Sequence, residues 1–241
     1  MSEPAGRRAV VLAGGRGTRL RPYTIVLPKP LMPIGDYPIL EVIVRQLAQQ
    51  GFSRITLAVS HQANLIHAFF GDGSRWGIHI DYSFEPAPLS TIAPLKLIPD
   101  LPPHFLLMNG DILTDLRFDA FLDRHALLGR LFTISASRRQ EVTEYGVLHT
   151  DNGGTLSGFE EKPVHRYLVS MGVYAIGRSL LARVPPDTKY GFDDLMRDML
   201  ACGEPVHVEP HDGYWLDIGR PDDYARAIDD FESGREKFLL P

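Results

Sequence analysis

Leu12-Ala-Gly-Gly-Arg16-Gly-Thr-Arg19-Leu-Arg21-Pro22 joins an apolar segment to a glycine-rich loop. The apolar residues 9–13 have the length and composition of a strand that is buried on both faces. Glycines at positions 14, 15 and 17 let the chain turn sharply and bring backbone N–H groups close to a ligand. A buried strand that opens into such a loop favours an α/β protein with a parallel sheet.

Basic residues are concentrated around this loop, although the whole chain carries a net charge of -5. No acidic residue lies between Glu3 and Asp36 in the sequence. The basic residues of that interval are Arg7, Arg8, Arg16, Arg19, Arg21 and Lys29. Local positive charge in an acidic protein indicates an anionic ligand, and the glycine loop favours a triphosphate.

Two familiar phosphate-binding motifs do not fit the loop. A P-loop requires a Gly-Lys-Ser/Thr ending, which the sequence lacks. The dinucleotide fingerprint requires a third glycine where this chain has Leu20, and an acidic residue that closes a second strand. Asp36 instead follows a proline-rich stretch. The sequence therefore argues against a Rossmann dehydrogenase.

Composition and periodicity predict one compact domain, 1–241, of 241 residues with 44% hydrophobic content. Strands are predicted at 8–13, 54–59, 78–84, 105–109 and 131–137, and helices at 38–50, 62–70, 118–128 and 221–231. The signal Asp151-Asn-Gly-Gly154 predicts a hairpin between Val147 and Phe159. A boundary near residue 138 separates two lobes, 7–137 and 138–235.

The location and partners are also constrained by composition. A single cysteine, Cys202, excludes an internal disulfide framework and suggests a cytoplasmic protein. No apolar run is long enough for a membrane span, and no basic and aromatic stripe indicates nucleic acid. We therefore expect small-molecule partners only. Whether the chain forms a homodimer is left open by the sequence.

The motifs A-G-G-R-G-T-R-L-R-P-Y-T and P-K-P-L-M-P-I resemble the signature of sugar-1-phosphate nucleotidylyltransferases. Further matches follow in the family's order at 109–111, 144–147, 159–163, 171–174 and 215–219, so the resemblance covers about residues 7–230. It implies a three-layer α/β sandwich around a mixed, mainly parallel sheet, with a nucleotide-binding and a sugar-binding lobe. The small bacterial branch, with heptose- and mannose-1-phosphate guanylyltransferases and N-acetylmuramate-1-phosphate uridylyltransferases, is most similar. The hexapeptide repeats of longer members are not found, so no second acetyltransferase activity is expected.

The resemblance implies attack of a sugar 1-phosphate on the α-phosphorus of a nucleoside triphosphate, with release of pyrophosphate. Two anions must meet, so positioning and charge neutralisation matter most. By resemblance, Arg16 stabilises the leaving pyrophosphate, Lys29 the α-phosphate and Lys162 the sugar phosphate, while Asp111 and Asp217 coordinate Mg²⁺. Two roles stay open for Arg19 and for Arg21: each binds a phosphate or pairs with a carboxylate.

Other contacts are implied by the same motifs. The expected nucleotide-binding residues are Leu12, Ala13, Gly14, Gly15, Gly17, Thr18, Glu85, Ser90, Thr91, Asn109 and Gly110. The expected sugar-phosphate-binding residues are Tyr145, Gly146, Glu161, Lys162 and Gly172. A flat strand would aim Glu161 and Lys162 to opposite sides, so a twist or bulge is predicted there.

The base-binding loop departs from the family pattern. Relatives often have Leu-Gly-Thr-Ala-Gly where this chain has Leu89-Ser90-Thr91-Ile92-Ala93, which places larger side chains near the expected base. Glu85 can accept paired hydrogen bonds from guanine N1–H and N2–H₂, so GTP is favoured. The alternatives are the same reaction with UTP or dTTP, and a regulatory subunit that binds nucleotide sugars without turnover.

Overall fold

The computed structural model describes residues 6–15, 17–60, 62–85 and 89–239. Its strands are β1 (Arg7–Leu12), β2 (Pro33–Ile34), β3 (Tyr37–Pro38), β4 (Phe52–Val59), β5 (His79–Phe84), β6 (His104–Asn109), β7 (Ile112–Thr114), β8 (Phe132–Val142), β9 (Val147–Thr150), β10 (Leu156–Glu160), β11 (Val164–Gly177), β12 (His207–His211) and β13 (Trp215–Asp217). The α-helices are α1 (Ile39–Gln49), α2 (Ala63–Phe70), α3 (Phe118–Leu127), α4 (Phe192–Ala201), α5 (Pro221–Ser233) and α6 (Arg235–Phe238).

A seven-stranded sheet in the order β12-β8-β11-β6-β1-β4-β5 forms the centre of the molecule. Neighbouring strands are parallel except for β11, which is antiparallel to both β6 and β8. Alternating residues of β1 enter different apolar clusters: Ala9 and Val11 join the cluster with α1, α2 and α3, and Val10 joins the cluster with α4. The expected mixed, mainly parallel sheet between two layers of helices is confirmed.

Helix α1 shows how local sequence produces this packing. Its residues Leu40, Ile43, Val44 and Leu47 recur at helical spacing and are buried against the sheet. The helix follows Pro38, and the chain leaves it at Gly51, whose φ of 77° is readily adopted by glycine. The predicted helix at 38–50 is thus confirmed to within one residue at each end.

Two segments differ from the simplest sequence prediction. Strand β8 continues to Val142, past the predicted end at residue 137, because it stays paired with β11 as both strands leave the core. The buried pattern on which the prediction rested ends at this point, and several residues of the extension are exposed. The hairpin forms as predicted between β9 and β10.

The segment predicted to be twisted or bulged is a turn. Strand β10 ends at Glu160, and Lys162 has a φ of 46° in the left-handed region. The pairing of β10 with β9 also shifts register between Leu156 and Gly158. Glu161 and Lys162 are therefore not constrained to opposite faces of a flat strand.

His125 makes stability sensitive to acid. Its side chain is fully buried in α3, and Nδ1 lies 2.9 Å from Thr133 Oγ1. Burial lowers the pKa of His125 to about 4, with smaller contributions from His104 and Arg130. Below the usual His pKa of about 6.5, the unfolded chain binds a proton that the folded chain does not.

We expect this group to cost about 3 kcal/mol of unfolding free energy as the pH falls from about 6.5 to about 4. His125→Gln cannot take up the proton, so its unfolding free energy should depend less on pH across that window. Urea unfolding at several pH values measures the difference, with the exposed His165→Gln as a control. Identical pH profiles for wild type and His125→Gln would contradict the assignment.

Candidate active site

The carboxyl ends of β1 and β6 lie side by side at one edge of the sheet. Leu12 pairs with Asn109 at the last residue of each strand, and Gly110 N–H donates to the Leu12 carbonyl at 2.9 Å. Strand β4 ends beside them, where Ser60 Oγ donates to the Gly14 carbonyl at 2.7 Å. The glycine loop and the loop after β6 therefore open onto the same edge.

A first cavity of about 430 Å³ lies at this edge. Its lining is Leu12, Ala13, Gly14, Gly15, Lys29, Pro30, Ser60, Glu85, Ser90, Thr91, Asn109, Gly110 and Asp111. Most of these are residues expected to contact a nucleotide, and the lining as a whole comes from five separate parts of the chain. Ser60 and Pro30 are additions, and the only sequence signal for Ser60 is its position directly after a strand.

A second cavity of about 280 Å³ adjoins the first and shares Asn109 and Asp111 with it. Its lining is Arg19, Asn109, Asp111, Ser170, Met171, Gly172, Tyr174, Phe192, Trp215 and Asp217. Gly172 has a φ of 71°, and a Cβ there would lie 2.5 Å from Asn109 Nδ2. A larger residue at 172 would displace Asn109 from the junction of the two cavities.

A buried lysine and two carboxylates meet at this junction. Lys29 is only 7% exposed, and its ammonium group forms an ion pair with Asp111 Oδ2. Pro28 and Pro30 flank it, and their fixed φ angles hold the backbone of this short 3₁₀ turn. A lysine in this setting is a positioned cation, not a freely moving surface charge.

Asp217 reaches the same point through local strand pairing. Strand β13 pairs with β7, with Asp217 opposite Ile112, and Ile218 N–H donates to the Asp111 carbonyl at 3.0 Å. Burial raises the pKa of Asp217, and the negative charge of Asp111 raises it further. Lys29 and Arg19 partly offset this effect. The ionised form of Asp217 is therefore disfavoured unless another cation binds at the site.

These two carboxylates suit a hard divalent metal. Within the described ranges, no cluster of three or more Asp, Glu, His or Cys side chains forms a complete metal site. Mg²⁺ commonly takes one or two carboxylates and completes its shell with water and substrate phosphates. Asp111 and Asp217 fit that donor set, because both line the second cavity with room for a phosphate beside them.

Arg19 lies near the charged junction of the two cavities, a position that the sequence pattern left open. It lines the second cavity. A Cβ built on Gly219 would lie 3.4 and 3.5 Å from the two terminal guanidinium nitrogens of Arg19 and 3.1 Å from Asp217 Oδ2, so both side chains contact the space beside this glycine. The charge of Arg19 lowers the pKa of Asp217, against the larger effect of burial. The excess of arginine around the glycine loop was the only sequence signal for this placement.

The remaining expected site residues that the structure describes do not line either of the two cavities. Gly17 and Thr18 belong to the glycine loop but do not line the first cavity, and Arg16 lies outside the described residues. Tyr145, Gly146, Glu161 and Lys162 lie between β8 and β11, exposed and outside the lining of both cavities. Strand β8, which leads into this segment, contacts the wall of the second cavity, since the Arg139 guanidinium lies 5.0 Å from the centre of the Trp215 ring.

Glu85 lines the first cavity. Its Oε2 accepts a hydrogen bond from Leu89 N–H at 3.2 Å, which ties it to the start of the 89–93 loop. Burial raises the pKa of this carboxyl group. Ile92, by contrast, is fully buried in the core, so its bulk does not narrow the cavity.

Comparison with known proteins gives a consistent result. Residues 8–234 match the family described as Nucleotidyl transferase. A UTP–glucose-1-phosphate uridylyltransferase from Synechocystis is 34% identical, with 92% of this chain and 62% of the relative covered. A mannose-1-phosphate guanylyltransferase catalytic subunit beta from Danio rerio is 33% identical, with 92% and 63% covered. This chain thus spans somewhat less than two thirds of the length of these relatives.

A solved structure gives the same result for the fold. HddC from Yersinia pseudotuberculosis, complexed with GMP-PN, superposes with a TM-score of 0.71 at 27% identity. The match covers 93% of this chain and 99% of that one. Among the described residues, none of the helices combines the length and the hydrophobicity that a transmembrane segment needs.

Neutralising each of the two carboxylates should change the stability of the metal-free protein in opposite directions. Asp111→Asn removes the charged partner of buried Lys29 and should lower the unfolding free energy by about 2 kcal/mol. Asp217→Asn removes a carboxylate whose ionised form is disfavoured in the folded state, so stability at neutral pH should rise. Urea unfolding in EDTA at pH 7.5 measures both. If both variants change the unfolding free energy in the same direction, this charge arrangement is wrong.

Proposed function

The chain belongs to the nucleotidyl transferase family, and from that premise we propose that it transfers a nucleotidyl group to a sugar 1-phosphate. The donor is a nucleoside triphosphate, and pyrophosphate leaves. The observation that carries the proposal is the junction of two cavities at Asn109 and Asp111, with Lys29 and Asp217 beside it. One anionic substrate fits on each side, and their reacting phosphates meet at the charged junction.

The larger cavity takes the nucleotide. The glycine loop and Lys29 both line this cavity. We assign backbone N–H groups of the loop to the triphosphate and Lys29 to the α-phosphate. Negative charge grows at that phosphate as the new bond forms, so a positioned ammonium group stabilises the transition state. Arg16 belongs to the same loop, and we assign to it the leaving pyrophosphate, which a planar guanidinium can bind with two donors.

The smaller cavity takes the sugar phosphate. Arg19 supplies positive charge there, Gly172 keeps the wall open, and Tyr174 and Trp215 provide surfaces against which a sugar ring can pack. Lys162 and Glu161 lie on the segment between β8 and β11, together with Tyr145 and Gly146. This assignment requires the segment to approach the cavity when substrate binds, with Lys162 contacting the phosphate and Glu161 the sugar hydroxyls.

Asp111 and Asp217 hold Mg²⁺ in this proposal. The bound ion would neutralise charge shared by the α-phosphate and the sugar phosphate and fix their orientation. Lys29 is paired with Asp111 in the structure, so it must exchange that carboxylate for the α-phosphate when the substrates bind. This exchange keeps the lysine charge balanced both before and after binding.

We propose GTP as the donor. Glu85 uses one oxygen to accept Leu89 N–H, while the carboxylate retains lone pairs for the N1–H and N2–H₂ donors of guanine. A uracil or thymine edge would place a carbonyl against the same carboxylate. The GMP-PN complex of HddC supports guanine. The 34% identical uridylyltransferase favours UTP as the second candidate.

Pyrophosphate release tests both the reaction and the base. GTP, UTP and dTTP are each paired with mannose, glucose, N-acetylmuramate and heptose 1-phosphates, with Mg²⁺ or with EDTA. Wild type should turn over GTP with one sugar phosphate and stop when the metal is removed. Glu85→Gln replaces one of the two acceptor oxygens by an NH₂ donor, so the GTP over UTP preference in kcat/KM should fall about tenfold or more.

The exposed Glu232→Gln is the matched control and should keep the wild-type preference. Turnover with UTP or dTTP alone would contradict the role of Glu85 while nucleotidyl transfer stands. No turnover with any pair would contradict the enzymatic assignment and favour a binding role without catalysis.

A further inference from the structure

Ser90 combines an unusual backbone with a position in the first cavity. Its φ of 73° lies in the left-handed region, which glycine adopts readily and serine rarely. Ser90 and its neighbour Thr91 both line the cavity. A serine side chain on this wall could occupy space that the base needs, so the direction of its hydroxyl group matters for nucleotide binding.

The hydroxyl group of Ser90 lies against Gly191, a hundred residues further along the chain. A Cβ built on Gly191 would lie 2.6 Å from Ser90 Oγ and 3.5 Å from Ser90 Cβ. Gly191 itself has φ −103° and ψ −176°, an extended conformation that any residue can adopt. The backbone therefore does not require glycine at 191, whereas the space occupied by Ser90 does.

The segment that carries Gly191 is fixed to the base loop by backbone hydrogen bonds. The Tyr190 carbonyl accepts the N–H groups of Ile92 and Ala93 at 3.1 and 3.0 Å. Tyr190 N–H donates in turn to the Leu89 carbonyl at 3.1 Å. Residues on both sides of Ser90 are thus tied to the residue directly before Gly191.

The same segment is fixed to helix α4. Gly191 N–H donates to Asp194 Oδ2 at 2.8 Å, which caps the first turn of the helix. Tyr190 is 5% exposed, and its hydroxyl group donates to Asp198 Oδ2 at 2.5 Å. The gap beside Gly191 cannot easily close or move, because both neighbouring elements hold it in place.

We propose that Gly191 is a positioning residue for nucleotide binding, because the space left by its missing side chain receives the Ser90 hydroxyl group and keeps it out of the first cavity. Ser90 and Gly191 then form a compensating pair: the side chain added at 90 is accommodated by the absence of one at 191. This inference rests on the proposed function in assigning the first cavity to the nucleotide.

A double-mutant cycle tests the pair with four proteins: wild type, Gly191→Ala, Ser90→Gly and the double variant. Calorimetric titration with GTP, UTP and dTTP identifies the nucleotide that wild type binds. Gly191→Ala turns the hydroxyl group toward the cavity and should weaken that binding about tenfold. Ser90→Gly removes the hydroxyl group, so the double variant should return to within about twofold of wild type.

Two further readouts separate positioning from general damage. Binding of the sugar 1-phosphate should be unchanged in Gly191→Ala, because Ser90 does not line the second cavity. The melting temperature should fall in Gly191→Ala and recover in the double variant, whether or not nucleotide is present. Gly177→Ala is the control, since Gly177 is also buried with a negative φ but has no contact for a Cβ closer than 3.4 Å.

Each failure points to a different part of the account. Wild-type nucleotide affinity in Gly191→Ala, or a loss that Ser90→Gly does not restore, overturns the positioning role. Recovery of the melting temperature without any effect on nucleotide affinity also overturns it, because the pair would then serve folding alone. A wild-type protein that binds none of the nucleotides overturns the proposed function together with this inference.

Discussion

The ion pair between buried Lys29 and Asp111, with Asp217 beside it, is the constraint on which the site depends. A buried ammonium group is unfavourable unless a carboxylate accompanies it, and a second buried carboxylate is unfavourable unless another cation arrives. The fold supplies this arrangement with rigid parts: β1 and β6 end side by side, prolines flank the lysine, and β13 pairs with β7. The fold thereby holds in place the charges that, in the proposed function, receive anionic substrates and a metal.

The direction of one strand explains why two cavities share this centre. Strand β11 runs antiparallel to β6, so its Val173 lies opposite Met108, and Gly172 reaches the edge where the parallel strands end. Earlier residues of β11 continue past that edge, paired with the end of β8. The same reversal therefore closes one wall of the second cavity and extends the segment with Glu161 and Lys162 beyond the sheet. Two adjoining cavities thus follow from sheet topology.

Local patterns in the sequence were enough to predict the alternating strands and helices of the first half, helix α1 and the β9 and β10 hairpin, while the family resemblance implied the mixed sheet and most of the first cavity's lining. The apolar periodicity, the proline and glycine signals and the glycine loop each act within a few residues. Contacts between distant segments were less accessible: Arg19 beside Asp217, Ser60 against Gly14, and Ser90 against Gly191 each depend on tertiary packing. The extension of β8 to Val142 was also missed, because pairing with β11 maintains that strand without a buried pattern.

Anomalous diffraction from crystals grown with Mn²⁺, GTP and a sugar 1-phosphate tests whether Asp111 and Asp217 hold the metal. We expect one strong peak within about 2.2 Å of carboxylate oxygens from both Asp111 and Asp217, with phosphate oxygens completing the shell. Lys29 should have left Asp111 for the α-phosphate in the same crystals. A nucleotide bound with the metal on other residues, and with the Lys29 to Asp111 pair intact, would contradict the account.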